Sequence, residues 1–220
     1  DRYGVREANS VQEKAVFHHH LAQSKLNSVK TPEPQATPGK AGSELLVMFQ
    51  KIVKTASPDT ACSVEVRLAD TLRSGNRDMK FKQAAVSNRF RLGSEVNIGY
   101  SYKGLQGDVQ ITLFDVGTSG KLTVLMPDDS LSEGRITWFP DIHSHQAITL
   151  TGMSGKEAIV AVAAQKKADL RTKLGLNKND IIQEFTGKES EDFMRKLFGI
   201  IGNLPKDTWA VGKTEFEITD

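Results

Sequence analysis

From residue 61 to residue 165 the apolar residues recur at every second position in short bursts, and no stretch of helical spacing interrupts them. Val64, Val66 and Leu68 alternate with Ser63, Glu65 and Arg67, and Met79 and Phe81 alternate with Lys80 and Lys82. Val96, Ile98, Tyr100 and Tyr102 alternate with Asn97, Gly99 and Ser101, and Val109, Ile111 and Leu113 alternate with Gln110 and Thr112. A period of two puts one set of side chains on a buried face and the other on an exposed face, which is the pattern of a half-buried strand. Leu122, Val124 and Met126 stop at Pro127, Ile136 and Trp138 stop at Pro140, and Ala147–Leu150 forms another short segment. Ala158–Ala164 differs from all of these, being apolar at every position. That suits a strand covered on both faces. Turn signals at Ser74-Gly-Asn76, Gly117-Thr-Ser-Gly120 and Met153-Ser-Gly155 separate the segments every 8–12 residues, and such spacing predicts an antiparallel β-sandwich or barrel rather than βαβ units.

Helical spacing flanks this block. Ser43 suits the N-cap of a helix carrying Leu45, Met48, Phe49, Ile52 and Val53 on one face and ending before Pro58. After Gln165 the pattern predicts a short helix over Asp180–Phe185. A longer helix follows, with Phe193, Leu197, Ile200, Ile201 and Leu204 on one stripe, opened by a capping box at Thr186-Gly-Lys-Glu189 and closed at Asn203-Leu-Pro205. Trp209, Val211, Thr214, Phe216 and Ile218 predict a last strand that returns to the sheet. The expected fold class is therefore α+β, mainly an antiparallel β-sandwich of about eight to nine strands with flanking helices. Upstream, residues 1–26 have irregular apolar spacing closer to a helical arm. Residues 27–43 hold Pro32, Pro34, Pro38, Gly39 and Gly42 and read as an extended linker, which leaves 44–220 as one domain. The opening Asp1-Arg-Tyr-Gly-Val5 has neither the apolar core of a signal peptide nor an initiator Met, and predicts a processed chain or a piece of a longer one.

Charge narrows the function classes. The 29 basic and 27 acidic residues leave a formal net charge of +2. Residues 1–43 carry six bases and four acids, so that small excess lies wholly in the arm and linker and the rest of the chain is neutral. A neutral domain argues against a nucleic-acid surface and makes the arm the place for an acidic partner. No run of eighteen apolar residues is present, so no membrane-spanning helix is expected. Cys62 is the one cysteine, which excludes an internal disulfide framework and a multi-cysteine zinc site, and its expected role is packing.

The motifs that carry chemistry mostly fail on spacing. Gly152-Met-Ser-Gly155 lacks the last glycine of a nucleophile elbow, because position 156 is Lys. Gly117-Thr-Ser-Gly-Lys121 has its glycines too close for a phosphate loop, and Leu122 occupies the position of the magnesium-binding hydroxyl. Asp128 and Asp129 lack EF-hand spacing and read as turn residues. His143-Ser-His145 is the strongest candidate. On a strand its two imidazoles share a face, so His143 and His145 can supply two ligands to zinc or copper, with Asp141 a possible third. On a loop after Pro140 they have no such role. His18, His19 and His20 point in three directions on a helix, so one or two at most could serve one metal. Tyr100, Tyr102 and Trp138 are the aromatic candidates for a contact surface if exposed, and core or rim residues otherwise.

Four segments together resemble a known family. Gly93-Ser-Glu-Val-Asn-Ile98 looks like its opening strand, and Gly120-Lys-Leu-Thr-Val-Leu-Met-Pro127 looks like its hairpin glycine, apolar strand and proline. Arg135-Ile-Thr-Trp-Phe-Pro140 is similar to its next strand, and Gly152-Met-Ser-Gly-Lys-Glu-Ala-Ile-Val-Ala-Val162 resembles its closing turn and strand. The stretch from about 90 to 170 resembles the bacterial family called domain of unknown function 4384. The resemblance implies a small β-sandwich without established catalytic residues. Such domains occur as the tail of caspase-like peptidases or protein kinases, or as stand-alone envelope proteins. The expectation that follows is a non-enzymatic bacterial accessory module that binds a protein partner, with no cofactor and a periplasmic or envelope location favoured over the cytoplasm. The alternative is a metal-binding protein or metal-dependent hydrolase using His143 and His145.

Overall fold

The computed structural model describes residues 38–55, 63–70, 88–117, 120–127, 131–141, 146–152, 154–177 and 180–220. The chain divides between Ala36 and Thr37, and all of these residues belong to the second unit, Thr37–Asp220. Their elements are helix α1 (Pro38–Thr55), strands β1 (Ser63–Asp70), β2 (Arg89–Arg91), β3 (Glu95–Lys103), β4 (Val109–Gly117), β5 (Leu122–Leu125), β6 (Thr137–Phe139), β7 (Ile148–Thr149) and β8 (Gly155–Gln165), a 3-10 turn (Lys166–Ala168), helix α2 (Leu170–Leu174), strand β9 (Ile182–Phe185), helix α3 (Lys188–Gly202) and strand β10 (Trp209–Thr219). The fold is α+β, mostly strands in two sheets. The four-stranded sheet has the order β1-β3-β6, with β7 also on β3. The six-stranded sheet has the order β2-β10-β8-β4-β5-β9. All pairings are antiparallel except that of β2 with β10.

Strand β8 lies between β4 and β10, and its seven residues Ala158–Ala164 are all buried. Its two faces enter different cores. Val160, Val162 and Ala164 join Phe114, Val116, Val124 and Trp209 under the helices, where Leu45, Phe49 and Ile52 of α1 and Phe193, Met194, Leu197 and Ile201 of α3 complete the cluster. Ile159, Ala161 and Ala163 join Ile111, Leu113, Ala210 and Phe216 on the opposite side, packed against Val66, Val96, Ile98, Tyr100 and Tyr102 of the four-stranded sheet. The layers are thus helices, six-stranded sheet and four-stranded sheet.

Two local devices hold the layers close. At Gly212 of β10 a Cβ would overlap the backbone carbonyl of Val64 in β1, so the crossing of the two sheets requires glycine there. Arg171 of α2 finishes the β4–β5 ladder. The register that pairs Leu113 with Leu125 brings Pro127, which has no N–H, opposite Ile111. Arg171 Nη2 donates to Ile111 O at 2.7 Å and Pro127 O at 3.0 Å, and its Nε donates to Thr112 Oγ1 at 3.4 Å.

Several expectations are corrected. Asp180–Phe185 is not a short helix: Ile182–Phe185 is a strand on the free edge of β5, with Met126 N donating to Ile181 O at 2.8 Å. Phe185 packs in the helix-side core, and its ring centroid lies 4.6 Å from that of Phe193. The capping box does not form. The N-cap of α3 is Gly187 at φ 53, one residue later than expected, so Thr186 contributes only its backbone carbonyl, to Glu189 N. Helix α1 starts at Pro38 rather than after Ser43, since the first turn of a helix tolerates a residue without an N–H. The strands number ten among the described residues, the extra ones being β2 and β9. The expected strand at Met79 and Phe81, the turn at Ser74–Asn76 and Cys62 lie outside the described residues.

Two glycines with opposite surroundings test the packing. Gly212→Ala is expected to lower unfolding free energy by about 1–3 kcal/mol through the forced separation of β1 and β10. Gly199→Ala, on an exposed turn of α3 with open space around the position, is expected to raise it by about 0.5–1 kcal/mol. Urea unfolding of the two variants reads both signs.

Candidate contact surface and a buried carboxylate cluster

The four-stranded sheet has one side in the core and one side turned away from it. Val96, Ile98, Tyr100 and Tyr102 of β3 point inward, and the relative exposures of Tyr100 and Tyr102 are 1% and 6%. These two candidates for a contact surface are therefore core residues. Burial raises the Tyr102 phenol above its ordinary range, and the charges of Glu133 and Asp108 add to the effect. Trp138 is on the other side. Register places it beside Gly99, and Gly99 beside Arg67. The indole covers Gly99 so closely that an added Cβ would lie 2.8 Å from the ring. Trp138 is half-buried, and two residues earlier Ile136 is 37% exposed. Arg67 and Glu65 bond along β1, with Nη2 2.6 Å and Nε 3.0 Å from Oε1, and both side chains are exposed.

Asn97 shares this outer side and is fully buried. Its Nδ2 donates at 3.0 Å to both Pro140 O and Gln146 O, so one amide ties together the two ends of the connection from β6 to β7. Asp141 in that connection is exposed. The metal candidates His143 and His145, the histidines at 18–20, and Asp128 and Asp129 lie outside the described residues. Among the described residues no three His, Cys, Asp or Glu side chains gather as a metal-binding group.

A second cluster, absent from the sequence reading, sits at one end of the six-stranded sheet on its sandwich side. Asp115 of β4 lies opposite Thr123 of β5, and Thr123 lies opposite Glu184 of β9. On the other flank Asp115 faces Ile159, and Glu157 of β8 is its diagonal neighbour, opposite Gly117. Lys121 forms an ion pair with Glu184. Asp115 Oδ1 is enclosed and has no hydrogen-bond partner among the described residues, although the residue as a whole keeps partial exposure. Burial pushes the Asp115 carboxyl up to about 7, with Lys121 pulling it down and Glu184 pushing it up. Burial pushes Glu157 up to about 8, with the Asp115 charge adding to the rise and Lys121 opposing it. The signal for this cluster in the sequence is polar Asp115 at the end of the otherwise apolar row Val109, Ile111 and Leu113. Its meaning depends on the register of four strands.

The fold and these surfaces define a two-sheet α+β protein with one indole, that of Trp138, on the outer side of its four-stranded sheet. In comparisons with known proteins no family model, no curated protein and no solved structure matches the chain.

Gly99→Ala is the direct test of the indole seat. In a Trp209→Phe background, which leaves Trp138 as the one tryptophan, the substitution is expected to shift the fluorescence emission to longer wavelength and to lower stability by about 1–3 kcal/mol.

Proposed function

We propose that the chain is a non-catalytic binding module that takes a protein partner on the outer side of its four-stranded sheet. The observation that carries the reading is the Trp138 indole laid flat over Gly99, beside exposed Ile136 and in the same cross-strand row as Arg67. Tryptophan and arginine next to apolar surface, rimmed by polar groups, are the residue types that supply most binding energy in protein interfaces. The ring is already held in place, so it loses little freedom when a partner covers it. The hydrogen bonds of Asn97 hold Pro140 and Gln146, the two ends of the adjoining connection, in the same way. A role as an accessory domain of a larger bacterial protein or envelope assembly accords with the family resemblance, which assigns no residue a chemical role.

The test needs a partner identified by proximity labelling in the source cell and then titrated against the purified chain. Trp138→Ala is expected to weaken binding about tenfold to a hundredfold, a loss of about 1.4–3 kcal/mol, while Gly199→Ala leaves it unchanged. Equal affinity of the Trp138→Ala and unaltered chains would overturn the proposed face. A hydrolytic or transferase activity abolished by one substitution would overturn the non-catalytic reading. Elemental analysis of tag-free protein decides the competing metal reading: one equivalent of zinc or copper, lost in His143→Ala and His145→Ala, would replace the binding module with a metalloprotein.

A further inference from the structure

The sandwich side of the six-stranded sheet is apolar along most of its width and acidic at one end. Leu113, Leu125, Ile159 and Phe216 give way there to Asp115, Glu157 and Glu184. Among the described residues three carboxylates on three strands share one ammonium, Lys121, and that ammonium is already paired with Glu184. An enclosed carboxylate oxygen without a donor is costly when charged and tolerable when its carboxyl is protonated. Asp115 Oδ1 is such an oxygen, and Glu157, its diagonal neighbour on β8, is a carboxyl with which it could share a proton.

We propose that Asp115 and Glu157 hold one proton between them in the folded chain at neutral pH, and that this proton is a latch that keeps the edge strand β9 on β5. With the proton in place, Lys121 faces one charge from the pair and keeps its ion pair with Glu184. When the proton leaves, two adjacent carboxylates compete with Glu184 for the same ammonium, and repulsion across β4, β5 and β9 falls on a strand of only four residues. Release of β9 uncovers the backbone edge of β5.

The groups around the pair are accounted for element by element. On β10, the residue opposite Glu157 is Phe216, which carries no charge. Lys156 and the Arg89–Glu217 ion pair alternate to the opposite side of the sheet. The four-stranded sheet presents apolar side chains and its two tyrosines to the shared core. Among the described residues Lys121 and Glu184 are the remaining charged groups that act on Asp115, and their opposing effects are those described above.

The sign of the pH dependence follows. Both carboxyls hold their proton more tightly in the folded chain than at the ordinary unfolded value of about 4. Between that value and the folded values the folded state binds more protons, so stability is fullest at the acidic end of the window and falls as pH rises through about 7 to 8.

The experiment is a carboxyl carbon NMR titration of the whole chain, joined to amide exchange at residues 182–185. The Asp115 and Glu157 signals are expected to move together with midpoints above pH 6, and exchange in β9 to rise over the same range faster than hydroxide catalysis requires. Asp115→Asn is expected to lower the Glu157 midpoint and flatten the dependence of Tm on pH. Two substitutions at more exposed positions move the Asp115 midpoint in opposite directions: Lys121→Met up, Glu184→Gln down. These keep the test decisive if Asp115→Asn does not fold. Midpoints near pH 4 for both carboxyls would overturn the shared proton. Raised midpoints for the pair with β9 exchange that tracks hydroxide alone would overturn the latch.

Discussion

The structure depends on one strand that has no free face. β8 must be apolar on both sides because helices cover one and a second sheet covers the other. Alanine at 158, 161, 163 and 164 keeps it thin, so the flanking layers can approach the sheet without large side chains holding them apart. A polar group in the middle of this strand would lose its water on either side. β8 therefore carries its polar residues, Lys156, Glu157 and Gln165, toward its ends. The acidic cluster is a consequence of that arrangement: Glu157 stands where the run of buried residues begins, next to a carboxylate on β4 that the same core half encloses.

The four-stranded sheet solves a different problem. Its inner side is filled by Val96, Ile98, Tyr100 and Tyr102, yet Asn97 and Ser101 on the alternate positions of β3 are also buried. Buried polar residues on an outward side need partners. Asn97 has them in the carbonyls of Pro140 and Gln146, and the side-chain space missing at Gly99 is filled by Trp138. An indole resting on a glycine removes a gap in the sheet and at the same time fixes a large apolar ring toward the outside. One residue thus serves both stability and the proposed contact.

Much of this was legible in the sequence because strand alternation is a local signal. β3, β4, β8 and β10 each run nine residues or more, long enough for a period of two to stand out, and the unbroken apolar run of β8 announced its central place. β9 and β2 were missed for a matching reason. Four residues, Ile182-Gln-Glu-Phe185, show no period that separates strand from helix, and their conformation is decided by the open edge of β5. Thr186 and Glu189 had the spacing of a capping box, but the helix begins after Gly187, and only the positive φ at that glycine reveals the shift. The candidate site divided along the same line. The tyrosines could be placed on one face of a strand from sequence, but which face meets the core is set by packing between sheets. The row Arg67, Gly99, Trp138 joins residues 71 positions apart through register alone.

The edges of the six-stranded sheet bear on the proposed contact. An open sheet edge offers unpaired backbone groups and invites association with any extended chain. Here both edges end in very short strands, three residues in β2 and four in β9. Each is stapled by a charged pair across its last ladder, Arg89 with Glu217 and Lys121 with Glu184. Short, charged edges disfavour strand addition, which leaves side-chain recognition on a sheet face as the better route to a specific contact. The side of the six-stranded sheet toward α1 and α3 is closed by those helices, and its other side is closed by the second sheet. The outer side of the four-stranded sheet is covered at Asn97 by the ends of the β6–β7 connection, is covered by no helix or sheet among the described residues, and is the side that holds Trp138.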